Sequence, residues 1–351
     1  MSFNLITVSI IINAYDKVED LPATVNSILQ QTYTDFEITI FGDRSCQQTL
    51  QWFGRIKDPR LEFIFQKNLG IAQTLNRGIL EAKGEYICFA SVGDLWHPSK
   101  LQRQIFYLRC HPQVGLIHSP ITIADDRLRT KAEAIKREFS GWIEPQIIRR
   151  NLVNLYSVMV RRCCFETVGI FDSRLEIIPD WDLWIRLSRR YQFLTLAEPL
   201  VCQQNSSNTA NNWSLIELDF QATIEKAYSK TSVELQDFKD CSYAYASLDL
   251  AWRILRDRQP DLAIANNYCH QALHHFPSIG FAPQYIQARL AIATLSFIEK
   301  DRHTRLLWLI QMVKRWLEAI IKKTREYGQG LLIWLLEEES FTFWRNQKIR
   351  R

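Results

Sequence analysis

The sequence predicts an α/β fold over roughly the first 205 residues and an all-helical region after it. Two observations carry this. Short apolar runs rich in β-branched residues alternate with segments of helical spacing through the first hundred residues. That is the pattern of βαβ units, hence of a mainly parallel sheet with helices on both faces. From about Trp213 the strand signals fade and long helical patterns take over. A chain of 351 residues accommodates one large and one smaller domain, placed here at 1–212 and 213–351.

Residues 8–12 form a continuous β-branched run, as expected of a strand covered on both faces. A helix is predicted at 21–31, strands at 37–41 and 61–65, a one-sided apolar helix at 71–82, and a fourth strand at 86–90. Ligands in such sheets sit beyond the carboxyl ends of the strands, so the turns at 13–16, 42–45, 68–70 and 91–94 are the places where chemistry is expected. Farther on, 244–277 reads as a helix-turn-helix unit, with Pro260 opening its second helix and Ala265, Ala272 and Pro277 at tetratricopeptide-like spacing. A scaffold of packed helices is the expectation. The stretch LLWLIQMVKRWLEAIIKK, 306–323, is a basic amphipathic helix that suits either a neighbouring helix or peripheral contact with an anionic membrane.

Hydrophobic residues at 47% and charged residues at 23% describe an ordinary globular chain and exclude a disordered or collagen-like one. The net charge of +5 is a small excess over 43 basic and 38 acidic residues, which points to a mixed solvated surface and to no nucleic-acid partner. The eight cysteines form no CxxC pair, so free thiols in a reducing, cytoplasmic compartment are expected rather than a zinc site. The seven histidines show no metal-ligand spacing. No basic leader precedes the first apolar run, and no uncharged stretch approaches the roughly 20 residues of a spanning helix, so the expectation is a soluble or peripheral protein.

Three ordered blocks carry a family resemblance. VSIIINAYDKVEDLPATVNSILQQTYTDFEITIFGDRS, 8–45, resembles the opening of family 2 glycosyltransferases, which have the GT-A fold. The resemblance continues through NLGIAQTLNRGILEAKGEYICFASVGDLWHPSKLQRQ, 68–104, and returns at SVMVRRCCFETVGIFDSRLEIIPDWDLWIRLSRR, 157–190. It implies a Rossmann-like mixed sheet flanked by helices. It also implies transfer of a sugar from a nucleoside-diphosphate sugar to an acceptor hydroxyl, usually with inversion. Polysaccharide or glycoconjugate synthesis, on a glycan or lipid-linked acceptor, is the setting it suggests.

An acceptor hydroxyl is a poor nucleophile, so a carboxylate placed to take its proton lowers the barrier. By the resemblance Asp180, in PDWDLWIRL, is that base, although Pro179 stands where the family has an acid. The blander reading makes Asp180 a cap on the helix starting near Trp181, a role for which Asp182 is the better candidate. Trp181 and Trp184 suit either an acceptor sugar ring or the core.

Most relatives hold Mg²⁺ or Mn²⁺ on an Asp-rich turn, because hard cations prefer carboxylate oxygens and bridge phosphates. Here the turn reads Ser91-Val92-Gly93-Asp94 and retains Asp94 alone as a metal ligand, so a weakened ion site is expected. The resemblance assigns nucleotide-sugar binding to Ala14, Tyr15 and Asp16, to Asp43 in a Gly-Asp-Arg-Ser turn, to Asn76 and Gly78, and to Asp94. Leu75 replaces a common arginine, and VCQQNSSNTANN, 201–212, lacks the Arg-x-His that assists the diphosphate elsewhere. Neutral groups such as Gln204 bring hydrogen bonds without charge. These departures support an alternative: a catalytically weakened relative that binds a nucleotide sugar or a partner protein.

Overall fold

The structure is a computed structural model that describes residues 6–15, 18–42, 52, 54, 56–124, 130–133, 139–204, 212–257 and 259–298. Asp16, Asp43 and the amphipathic stretch at 306–323 lie outside the described residues.

Strand β1 (Val8–Asn13) is buried along nearly its whole length, since β-branched side chains suit a pleated surface covered on both faces. Strands β2 (Phe36–Gly42) and β3 (Leu61–Phe65) extend the sheet in parallel on one side, and β4 (Tyr86–Ser91) pairs in parallel on the other. All four predicted strands are present to within a residue at each end. Helix α1 (Leu21–Leu29) carries Pro22 in its first turn, where a missing N–H is harmless, and buries Leu21, Val25 and Ile28 in the sheet's core. Helix α2 (Ile71–Glu81) buries Leu75 and Ile79.

Next come β5 (Leu95–Trp96), α3 (Lys100–Cys110), β6 (Val114–His118), β7 (Ile121–Ala124), β8 (Thr130–Glu133) and α4 (Glu144–Ile147). They are followed by β9 (Met159–Arg161), α5 (Arg162–Val168), α6 (Pro179–Ser188), β10 (Gln192–Thr195) and β11 (Val201–Gln204). The main sheet has seven strands in the order β10-β6-β9-β4-β1-β2-β3, with β9 antiparallel to both neighbours. A smaller sheet runs β5-β11-β7-β8. This is the mixed, helix-flanked sheet that the sequence predicts.

The remaining elements are helical: α7 (Trp213–Tyr228), α8 (Val233–Gln236), α9 (Lys239–Leu255), α10 (Leu262–His275) and α11 (Pro283–Ile298). Pro260 precedes α10, Asp261 caps it by accepting from Ile264 N at 2.9 Å, and Ala265 and Ala272 are fully buried. Residues 1–288 form one compact unit and 289–351 a second. Within the first unit α7 packs onto α6, with the Phe220 and Trp181 rings in a T-shaped contact at 5.7 Å between centroids. Among the described residues, no helix is long and apolar enough to cross a membrane.

Candidate active site

The parallel strands finish together, with Asn13 opposite Phe41 and Ser91, and Gly42 opposite Phe65. Ala14 continues the ladder, donating its N–H to Phe41 O at 2.7 Å. The Tyr15 hydroxyl donates toward the carbonyls of Gln66 and Lys67 at 3.4 and 3.2 Å, spanning from the end of β1 to the end of β3. Asn13 Oδ1 is buried at this edge with no hydrogen-bond partner among the described residues. It lies in the first of the turns where the sequence places chemistry.

Beyond β4 the chain turns sharply: Gly93 sits at φ +94°, Asp94 N donates to Ser91 O at 3.1 Å, and Gly93 N donates to Thr24 Oγ1 at 2.9 Å. An L side chain is strained at that φ, which is a backbone reason for the lost acid at 93. Asp94 is 2% exposed, and its Oδ2 accepts from Ser91 N at 3.3 Å. Burial pushes its carboxyl up to about 7, against the bonds from Ser91 and Gln203 and the charge of Lys100. Lys100 is itself buried, bonded to Gln104 Oε1 at 2.9 Å with its ammonium 3.9 Å from the Trp96 ring centroid, and burial pushes its proton affinity down.

Among the described residues no three His, Cys, Asp or Glu side chains gather as a metal site. Asp94 is buried, and its carboxyl accepts from a protein donor. One closed carboxyl of this kind does not fit the oxygen-rich shell that Mg²⁺ or Mn²⁺ requires.

The raised Asp94 carboxyl makes stability pH-dependent. A group whose folded pKa exceeds its unfolded value of 3.8 takes up a proton on folding, so stability falls as pH climbs from there through about 7. The advantage of Asp94→Asn over the parent is expected to grow by up to about 4 kcal/mol between roughly pH 4 and pH 8. Urea unfolding at the two pH values measures it; an equal difference at both would contradict the assignment.

Asp180 reaches the same edge by another route. Because β9 runs antiparallel to β4 with Met159 opposite Cys88, the chain just before β9 lies beyond the carboxyl end of β4. Two asparagines of this segment reach toward the acids. Asn151 Nδ2 donates to Asp180 Oδ2 at 2.9 Å, and Asn154 Nδ2 donates to Gln203 Oε1 at 3.5 Å, with Gln203 in turn bonded to Asp94.

Asp180 is the second residue of α6 and not its N-cap, which is Ile178. Its half-buried carboxyl is pushed up by burial, opposed first by the Asn151 bond, then by the Arg253 charge and the N–H groups of residues 180 and 181. A carboxylate with raised proton affinity that keeps some access to solvent suits proton abstraction. Asp182 is the structural acid: it is 4% exposed and paired with Arg186 at 2.9 Å and Lys226 at 2.8 Å. Trp181 and Trp184 are core residues, 1% and 0% exposed.

Two residues assigned to nucleotide-sugar binding by the resemblance make packing contacts in the structure. Both ends of the Asn76 amide bond the backbone of Phe171, Nδ2 to its carbonyl at 2.9 Å and Oδ1 from its N–H at 2.8 Å. This ties α2 to the turn before α6. A Cβ on Gly78 would lie 2.6 Å from Ile11 Cγ2, so glycine is what lets α2 lie directly on β1.

Sequence reasoning also missed Asp219 of α7. Its carboxylate, 4% exposed, accepts from the N–H groups of Glu176, Ile177 and Ile178 at 3.2, 2.7 and 2.9 Å and so fixes the approach to α6. Asn151, Gln203 and Arg253 belong to no motif; folding alone brings them in.

Residues 9–178 match the family model described as Glycosyl transferase family 2. An uncharacterized glycosyltransferase of Rickettsia bellii is 27% identical over 184 residues, which covers 52% of this chain and 26% of that protein. The amylovoran biosynthesis glycosyltransferase AmsB of Erwinia amylovora is 26% identical over 209 residues, 56% of this chain and 67% of that protein. Two solved structures share the fold. TarS of S. aureus in complex with UDP-GlcNAc superposes with a TM-score of 0.52 at 12% identity, covering 78% of this chain and 90% of that one. The mannosyltransferase PcManGT from Pyrobaculum calidifontis, in complex with GDP-Man and Mn²⁺, gives 0.53 at 16% identity, covering 88% and 86%. The fold is GT-A, and residues 9–178, just under half of the chain, match the glycosyltransferase family 2 domain. The chain carries a glycosyltransferase domain of that family.

Proposed function

We propose that this chain moves a sugar from a nucleoside-diphosphate sugar to an acceptor hydroxyl with inversion, in polysaccharide or glycoconjugate synthesis. One observation carries the reading: Asp180 accepts from Asn151, on the segment that leads into β9, and burial raises its proton affinity. Its carboxylate takes the acceptor proton as the acceptor oxygen bonds to the anomeric carbon. The bond from that carbon to the diphosphate breaks on the opposite face, and the nucleoside diphosphate leaves with the electron pair. AmsB, named for amylovoran biosynthesis, and TarS and PcManGT, solved with nucleotide sugars, support the donor class and the setting. The acceptor is a glycan or lipid-linked sugar, met at the inner face of a membrane through 306–323.

Donor binding falls to the edge formed by Ala14, Tyr15 and Asn13, together with Asp16 and Asp43. No step is routed through a divalent ion, since the Asp94 turn does not fit one. That closed turn also favours a second reading, a weakened relative that binds a nucleotide sugar without transferring it.

A panel of UDP-GlcNAc, UDP-glucose and GDP-mannose, with and without Mn²⁺, separates the two. The expected result is slow release of UDP or GDP from one donor, changed little by Mn²⁺. Binding without release at any acceptor would favour the weakened relative, and a rate that rises steeply with Mn²⁺ would contradict the metal argument.

A further inference from the structure

The first turn of α6 is tied at two adjacent residues to the segment that leads into β9. Trp181 Nε1 donates to Ile147 O at 2.7 Å, and Asp180 Oδ2 accepts from Asn151 Nδ2 at 2.9 Å. That segment is itself fixed on both sides: Ser242 Oγ of α9 donates to Ile148 O at 3.0 Å, and Gln104 Nε2 of α3 donates to Ser157 O at 2.8 Å. Within it two asparagines are built alike. Asn151 Oδ1 accepts from Val153 N at 3.3 Å and Asn154 Oδ1 from Tyr156 N at 2.9 Å, each taking the N–H two residues on. The carbonyl end of each amide is thereby engaged and the NH2 end is turned to the acids, Asn151 Nδ2 to Asp180 and Asn154 Nδ2 to Gln203. An amide held this way offers Asp180 a donor and never an acceptor.

We propose that Asn151 is a positioning residue for glycosyl transfer: its amide, oriented by the Val153 N–H, fixes the Asp180 carboxylate that takes the acceptor proton. This rests on Asp180 being the general base. A carboxylate accepts at about four lone-pair positions, so the bond from Asn151 leaves room for the acceptor hydroxyl. It also stops the carboxyl group from turning, so the proton is met in one orientation. A donor favours the charged form, and this bond is the first influence that opposes the burial of Asp180. The charge of Arg253 on α9 adds to it, with Arg253 itself held by Asp249 at 2.6 Å. Other charges on the elements around α6 have partners of their own. Glu144 of α4 pairs with Arg189, Lys226 of α7 and Arg186 pair with Asp182, and Asp219 accepts backbone N–H groups. Glu217 and Glu225 of α7 bond Tyr268 and Lys239, and Arg149 and Arg150 lie over the rings of Phe238 and Tyr245. Helix α5 contributes Arg162 and an exposed Glu166.

The test is direct titration of Asp180 in the full chain, with carboxyl-labelled aspartate followed by carbon NMR and its resonance identified by its loss in Asp180→Asn. Asn151→Asp keeps the shape and the bond from Val153 N, and exchanges only the donor for an acceptor. Its two carboxyl groups then titrate as a pair, and the upper step is expected at least about one pH unit above the parental midpoint. Asn151→Ala, which removes the donor and adds no charge, is expected to fall between the two and serves alone should the aspartate variant fail to fold. The acid limb of the rate profile should move in the same order, and turnover on its plateau should drop about tenfold or more with the KM for the donor held. A side chain that merely braced its own turn would leave midpoint and limb in place. Midpoints unmoved in the folded variants, beside an inactive Asp180→Asn, overturn this proposal alone. An Asp180→Asn variant that transfers sugar at the parental rate overturns the general-base reading and this proposal with it.

Discussion

Asp180→Asn is expected to lower turnover by at least about 100-fold while fold and donor affinity stay nearly unchanged. Asparagine has the same shape, and its Oδ1 can accept the bond that Asn151 Nδ2 now makes to Asp180 at 2.9 Å. What it lacks is a basic oxygen. In the parent the rate should decline as pH falls through the Asp180 pKa, which burial places above the usual value of 3.8. The general base must be deprotonated to act, so the limb lies on the acid side. Initial rates of nucleotide release across pH check both statements. A variant as fast as the parent would leave Asp180 a first-turn helix residue and nothing more.

Asp219→Ala should produce the largest loss of stability of any single polar substitution near the site, about 3–5 kcal/mol. Three backbone N–H groups lose a charged acceptor together, and two of them lie on Ile177 and Ile178 at the start of α6. Buried donors left without partners carry a penalty beyond the lost bonds. Urea unfolding measures the loss, and turnover should drop with it because the segment leading to Asp180 is released. Asp219→Asn, which keeps one acceptor oxygen, is expected to fall between. Unfolding within about 1 kcal/mol of the parent would show that these bonds contribute no more than ordinary surface ones.

The strands were legible because runs such as VSIIIN and YICFAS permit few other conformations, and helix α2 because its apolar residues share one face. Asp180 and Asp94 were legible as residue types in local context. Their partners were not. Asn151 lies 29 residues from Asp180, and Asp219 lies 41 from Ile178, and no spacing rule links such positions. Gly78 and Asn76 were read as ligand residues because a motif names positions without saying whether they face a substrate or a neighbouring strand. Their contacts with Ile11 and Phe171 appear only in three dimensions. The closed Asp94 turn likewise depends on Gln203, which arrives from the second sheet.

The three-residue strand β9 has a consequence for how the molecule is made. It is the seam between the β3-β2-β1-β4 block and the β6-β10 pair. On a ribosome the first block can assemble once residue 91 has emerged. The free edge of β4, buried in the finished protein, then waits roughly 70 residues for its partner. An open apolar edge is a template for pairing with another chain, and a contact so distant in sequence forms slowly. The expected hazard during synthesis is therefore kinetic: the longer the half-built sheet stays unsealed, the greater its exposure to pairing with another chain.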